Sequence, residues 1–592
     1  MCPLTILVMS KFKLFLLQIA ILLPLCAMAG ERSLEKARDI AYDFMTSRVQ
    51  TKSSVVDLRM VYNGESSLSR TSSNSAPAYY VFNNESGPGF VVVSGDDSAL
   101  PILGYSYSYN FKSEGMPSNL RWWLNTMASQ VKDLRKSGTL SYSGTASVGQ
   151  EMVRYETALW DQGEPYNYAC PTYRGEYCAT GCGPTAIAIT MRYWEWPDAG
   201  VGNIPSYRTE SYKISVPART LGTAYDWKNM PLTDGASSNW TTGQKNQVSR
   251  LMADVGAATE ADYGQETGIY DDMVPVALTK YMKYDKSIYV AWRDYYSASE
   301  WYPLIRNEIE KGPVIYAGSD NMGGHMFVLD GYTSEDYYHV NWGWGGMANG
   351  YYALTALNPD KQGMGSNDLG TYNEYQSAII NIKPDEGGKS LDVIRFYVEG
   401  DGYNGLMSRL IEIEAGKTYT IDSGYYVNFG NETYDGAIRI VVIGSDGNVR
   451  QLIYEEDLSL EAGYAGYFPD VSLRVDSICP GDMLIAQFYN NLTKEWEMVR
   501  GNSDEGVIES VYLSEATIEQ STTLKYIHKS RSFNLSVKNG VAVTCQSSEG
   551  ADVPVAKNSD GSYTVNVGGL AAGKYYLDLS KGDEFKRLIF NL

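Results

Sequence analysis

At 592 residues the chain exceeds what one hydrophobic core can serve, because single cores stop growing at roughly 250 to 300 residues, and three or four domains are expected. With 44% hydrophobic and 20% charged residues, it has the composition of folded, soluble material. A formal net charge of -21 argues against a nucleic-acid partner, since that affinity is carried by Lys and Arg neutralising phosphates.

Residues 1–29 read as a signal peptide. Lys11 and Lys13 precede an apolar run from Leu14 to Leu25, and Ala27-Met28-Ala29 supplies small residues for cleavage, so the mature chain should begin near Gly30. The run is shorter than the ~20 residues a membrane-spanning helix requires, and no later stretch approaches that length, so no membrane span is expected. Lipid attachment at Cys26 is a rival reading that the bulky Leu25 disfavours.

Residues 30–135 form the pattern of a small α+β unit. Leu34, Ala37, Ile40, Ala41 and Phe44 have helical spacing, Ala78 to Phe82 and Phe90 to Ser94 read as strands, and Arg121 to Leu134 as a helix carrying Trp122 and Trp123. The Ser- and Gly-rich stretch 136–150 buries little and marks a processing linker. Residues 151–383 mix aromatic, helical and strand-like segments and hold the chemistry. After a break at Pro384 to Ser390, short alternating strands predict one β-sandwich module over 391–515 and another over 516–592. Ile438 to Ile443 and Val449 to Ile453 flank a Ser-Asp-Gly-Asn turn, and Tyr563 to Val567 and Tyr575 to Leu579 repeat the period of two.

Five cysteines follow the signal: Cys170, Cys178, Cys182, Cys479 and Cys545. An odd count in an exported chain leaves at least one thiol unpaired and open to chemistry. Gly181-Cys182-Gly183-Pro184 leads into a helix with Ile187, Met191 and Trp194 on one face, and Pro197 stops it. Cys182 therefore sits at the positive end of that helix, where free N–H groups favour a thiolate and should depress its pKa. A thiol nucleophile needs a proton acceptor, and the chain offers three histidines. His325 follows two glycines at the mouth of a buried strand. His339 lies inside the next strand as a packed or hydrogen-bonded residue, and His528 reads as a surface residue of a β module. Export and the clustering of three thiols also predict a Cys170–Cys178 disulfide that spares Cys182. No metal or other cofactor is implied, because the cysteine spacings do not repeat a zinc knuckle.

Four ordered segments resemble the streptopain family of cysteine peptidases: Trp160 to Asn167, Ala179 to Ala186, Gly323 to Gly331, and Tyr338 to Gly346. The resemblance implies an α+β, papain-like catalytic domain of two subdomains over 151–383, acting as an endopeptidase on protein or peptide substrates. It makes Cys182 the nucleophile, His325 the general base and then acid, and Gln162 a donor to the oxyanion beside the Cys182 N–H. Asn341 or Trp342 would orient or shield the imidazole. Gly183-Pro184 departs from the small apolar residues expected after the nucleophile and puts the helix start in question. Phe90 to Asp97 and Pro101 to Tyr105 are similar to the propeptide of the same family, related to the Spi type of inhibitor, which implies an intramolecular inhibitor and a latent bacterial precursor destined for secretion or the cell surface. The last residues faintly resemble a type IX sorting tail. The competing readings are another Cys-His acyltransferase, or a surface-binding protein with a silent peptidase-like domain.

Overall fold

The computed structural model describes residues 30–48, 56–64, 76–137, 147–355 apart from 234–236, 265 and 321–322, and most of 376–592, where 398–404, 408–412, 502–510 and 513–517 are the longest stretches left out. The predicted signal peptide, much of the processing linker and His528 lie outside the described residues.

The N-terminal unit contains helix α1 (Leu34–Arg48), strands β1 (Leu58–Tyr62), β2 (Tyr79–Asn84), β3 (Phe90–Ser94) and β4 (Ile102–Ser106), and helix α2 (Ser118–Ser137). The catalytic segment contributes β5 (Glu151–Arg154), α3 (Cys182–Trp194), α4 (Thr242–Ala258), α5 (Met273–Tyr281), β6 (Tyr289–Trp292), α6 (Ala298–Ile309), β7 (Val314–Asp320), β8 (Gly323–Thr333), β9 (Tyr337–Asn341), β10 (Gly350–Ala353) and β11 (Gln376–Ile380). All these strands belong to one sheet in the order β1-β2-β3-β4-β10-β9-β8-β7-β11-β6, with β5 added to β8. The seam between the two segments is β4 against β10, through Tyr105 opposite Tyr351 and Gly104 opposite Tyr352.

Alternation along the strands divides the interior into two cores. Phe327 and Leu329 of β8, Tyr316 of β7 and Ala378 of β11 point into a cluster that also holds the N-terminal unit, including Phe44, Val92, Trp122 and Trp123. Met326, Val328, Ile315 and Ile379 point the other way, onto α3, α4 and α5. The N-terminal unit therefore completes the first core. Burying its apolar side chains there stabilises the docking by about 25 cal/mol per Å² removed from water. A Cβ on Gly318 of β7 would stand 2.2 Å from Trp122 Cζ2, so this strand carries glycine where the indole closes on it.

Beyond the catalytic segment, Pro384 to Ser390 is tied down and does not hang as a loose break. The buried Asp285 carboxylate accepts from the N–H groups of Glu386 (3.2 Å) and Gly388 (3.0 Å). One β cluster spans Ile394 to Val499 and another spans Ile518 to Phe590. The first contains the expected hairpin, Tyr434–Ile443 with Val449–Leu460. It docks on the catalytic segment through Tyr295 Oη donating to Phe396 O at 2.7 Å and an Arg500–Glu300 ion pair at 2.7 Å. The second faces two four-stranded sheets across Leu535, Val565, Leu577 and Phe590, and the tail residues 574–591 form its edge hairpin.

Candidate active site

Cys182 is the first residue of α3. Gly181 before it has φ 89°, a left-handed value that glycine takes without strain, and a Cβ there would meet Thr267 O at 2.5 Å. Gly183 is equally specific: a Cβ would stand 2.5 Å from Ile269 Cδ1 and 3.2 Å from Met326 Sδ. The departure at Gly183-Pro184 thus leaves the helix start intact and makes room for Ile269. The helix ends where Glu195 turns left-handed at φ 47°, two residues before Pro197.

The thiol lies against the start of β8. Met326 N–H donates to Sγ at 3.5 Å, and the S–H reaches Gly324 O at 4.0 Å, so these contacts bracket His325 in the chain. The imidazole shares strand parity with Phe327 and faces the N-terminal unit, its ring centroid 6.3 Å from that of Trp122. On α2 one turn away, Asn119 Nδ2 donates to Trp342 O at 2.7 Å and to Met326 O at 3.4 Å. Helix α2 therefore grips the backbone of β8 at Met326 and of the residue that follows β9, Trp342. Asn119 escaped the sequence reading, and Trp122 was legible there only as a helix residue.

The sequence expectation of a depressed Cys182 pKa is corrected. Burial pushes the thiol up, opposed by the N–H groups of Met326, Gly183 and Cys182 itself, while the Asp271 carboxylate adds to the rise. The helix amides act in the expected direction, but desolvation in the covered state outweighs them. Asp271 had no sequence signal, because only the fold brings it near Cys182.

Gln162 is 9% exposed, and its Nε2 has no hydrogen-bond partner among the described residues. Its carbonyl accepts from Thr180 N at 3.0 Å, two residues before Cys182, which fixes this segment beside the nucleophile loop. Asn341 spends its amide on Thr157 Oγ1 (3.0 Å), Ala158 O (2.9 Å) and Gly343 N (3.1 Å). Trp342 lies in the core on the imidazole's side, its ring 4.9 Å from Phe327. His339 is a strand residue with its Nδ1 2.6 Å from Asp330 Oδ1, and Asp330 also meets Arg154 at 3.1 Å. The expected Cys170–Cys178 bridge is not formed: both are free, buried thiols in one small apolar cluster with Tyr263. Burial pushes Cys170 up to about 12, which keeps it protonated and inert. No cluster of metal-ligating side chains occurs among the described residues, and none of their helices is long and apolar enough to cross a membrane.

The Peptidase C10 family matches residues 160–352, and the Spi protease inhibitor family matches residues 30–131. Streptopain of Streptococcus pyogenes is 36% identical over 327 residues, covering 52% of this chain and 80% of that protein. The chain belongs to the peptidase C10 family. The thiol protease/hemagglutinin PrtT of Porphyromonas gingivalis is 31% identical over 376 residues, 60% of this chain and 42% of that one. The structure of a Prevotella intermedia prointerpain A fragment covers 56% of this chain and 99% of its own, with 28% identity and a TM-score of 0.46. This C10 peptidase is a bacterial-type cysteine endopeptidase made as a zymogen, with a Spi-like inhibitory unit ahead of an α+β catalytic segment.

Proposed function

We propose that this C10 peptidase is exported and hydrolyses peptide bonds through Cys182, with His325 moving the proton and Gln162 meeting the oxyanion. The observation that carries the reading is the Cys182 thiol at the N-terminus of α3, held against β8 by contacts on both sides of His325. The thiolate attacks the scissile carbonyl carbon, and negative charge builds on its oxygen. The unspent Gln162 Nε2 and the Cys182 N–H donate to that oxygen, each worth about 2.7 to 4 kcal/mol at the transition state. His325 then protonates the leaving amine, and water hydrolyses the thioester with the imidazole acting as base. Trp342 is the residue that shields the imidazole, because it shares that face of the sheet, whereas the Asn341 amide is occupied elsewhere.

Latency follows from the placement of α2. In the precursor the imidazole faces Trp122, and Asn119 ties down the carbonyls of Met326 and Trp342. Removal of residues 30–135 by cleavage in 136–150 frees His325 to turn to the thiol and rehydrates Cys182, lowering its pKa. The mature layout is then a catalytic domain over 151–383 and β modules over 391–515 and 516–592, with export directed by residues 1–29.

The test is labelling by an epoxide thiol inhibitor before and after cleavage. The cut enzyme should label at Cys182, the precursor should label slowly, and Cys182→Ala should neither label nor process itself. Equal labelling and turnover by cut and uncut protein would overturn the latency mechanism. Labelling at another cysteine with activity retained in Cys182→Ala would overturn the nucleophile.

A further inference from the structure

One charged group near the thiol is unused by this mechanism. The segment 267–272 runs past the N-terminus of α3: Thr267 packs on Gly181, Ile269 on Gly183, and Asp271 follows just before α5. The Asp271 Oδ2 accepts from Ser377 Oγ at 2.5 Å. Ser377 is fully buried on β11, where it pairs with Ala317 of β7 and Trp292 of β6. Strand alternation places Ser377 on the face of Ile379 and Ala317, which is the Cys182 side of the sheet. Cys182, Ile269 and Trp292 are among the half-buried groups that fringe this core. Through its bond to Ser377 the Asp271 carboxylate stands on the nucleophile's side of the sheet, close enough to the thiol for its charge to act on Cys182.

A carboxyl so placed is expensive unless a cation joins it. Its one hydrogen-bond donor is a neutral hydroxyl, the adjacent charge is Asp272, and no Lys or Arg among the described residues contributes to its field. Burial accordingly raises its pKa to about 6, which still leaves it ionised at neutral pH. The core on that face of the sheet is apolar, with Ala317, Met326 and Ile379 in it and Ile269 and Trp292 packed against it. A wall of that kind, with one carboxylate set in it, suits a side chain with an aliphatic stem and a basic head.

We propose that Asp271 is a specificity-determining residue of this peptidase, and that it receives the Arg or Lys side chain of a substrate residue bound close to the scissile bond. The inference rests on Cys182 being the nucleophile. It also couples recognition to chemistry. Because the Asp271 charge opposes formation of the Cys182 thiolate, a substrate cation that neutralises it favours the reactive form. The effect of the basic residue therefore reaches kcat as well as KM.

The experiment uses the full-length chain after cleavage in 136–150 and matched fluorogenic peptides with Arg or citrulline at each of the three positions preceding the cut. Citrulline keeps the shape and removes the charge. At one position Arg should exceed citrulline in kcat/KM by about tenfold, the order expected when a partly desolvated charge loses its partner. Asp271→Asn should bring that ratio to about one, with part of the loss in kcat. If the wild-type enzyme cleaves both peptides equally at every position, the assignment is wrong, whether or not the variant folds. A variant that keeps the wild-type ratio also overturns it. Absence of all turnover together with no labelling of Cys182 would instead overturn the catalytic reading beneath it.

Discussion

Gln162 provides the sharpest separation of catalysis from stability. Its side-chain N–H is buried without a partner, so in the resting protein it contributes nothing to the fold, and leaving such a donor unsatisfied costs about 1 to 3 kcal/mol. The backbone of the same residue is well held, by Asp161 Oδ1 accepting from its N–H at 2.5 Å and by Thr180 donating to its carbonyl. Gln162→Leu keeps the volume and removes the orphan donor. The melting temperature, measured in a Cys182→Ala background to prevent self-cleavage, should stay level or rise. In the active background, kcat should fall by about 100- to 1000-fold, the effect of deleting one oxyanion donor, with KM little changed. Gln162→Glu should be at least as inactive, because a carboxylate there repels both the thiolate and the oxyanion. A Leu variant within about fivefold of wild type would refute the oxyanion role. A clear loss of melting temperature would show instead that the amide has a structural partner.

His325→Ala should abolish turnover with the fold intact. His339→Ala should retain activity yet lose about 1 to 3 kcal/mol of stability, because Asp330 is left with Arg154 and Thr157 alone; dead but folded His339→Ala would reverse the assignment. Asp285 is held at about 2 by donors that overcome its burial, Ser287 and the N–H groups of Glu386 and Gly388. Its folded pKa lies below the unfolded value of about 3.9, so its stabilisation is complete above that pH and is lost as pH falls from about 4 to about 2. Proteolytic nicking at 384–390 should rise over that window in the Cys182→Ala chain, and Asp285→Asn should raise nicking at neutral pH and remove the acid dependence. Alkylation of unfolded, unreduced protein should modify both Cys170 and Cys178, and mass spectrometry would detect a bridge as a missing pair of adducts.

Features whose physics is local could be read from the residues alone. A glycine, a cysteine and a helix start are adjacent in the chain, so the candidate nucleophile and its place at the head of α3 were legible in Gly181-Cys182-Gly183-Pro184. The scarcity of histidine narrowed the base, a continuous apolar run marked the buried strand Phe90–Ser94, and two short strands around the Ser-Asp-Gly-Asn turn marked the centre of the Tyr434–Leu460 hairpin. Features that depend on burial and on partners far apart in sequence emerge only in the packed fold. The direction of the Cys182 pKa turned on how much water the covered thiol keeps, which helix position does not encode. Gly183 was a puzzling departure until Ile269, 86 positions later, filled the space its missing side chain leaves. The Cys170–Cys178 bridge was a plausible spacing but not the pairing the apolar cluster adopts. Asn341 and Trp342 are neighbours in sequence, yet alternation puts their side chains on opposite faces of a sheet, and only the packed sheet shows which face carries His325. Likewise Asn119, Trp122 and Asp271 meet the site through contacts of long sequence separation, for which a single chain carries no periodic signal.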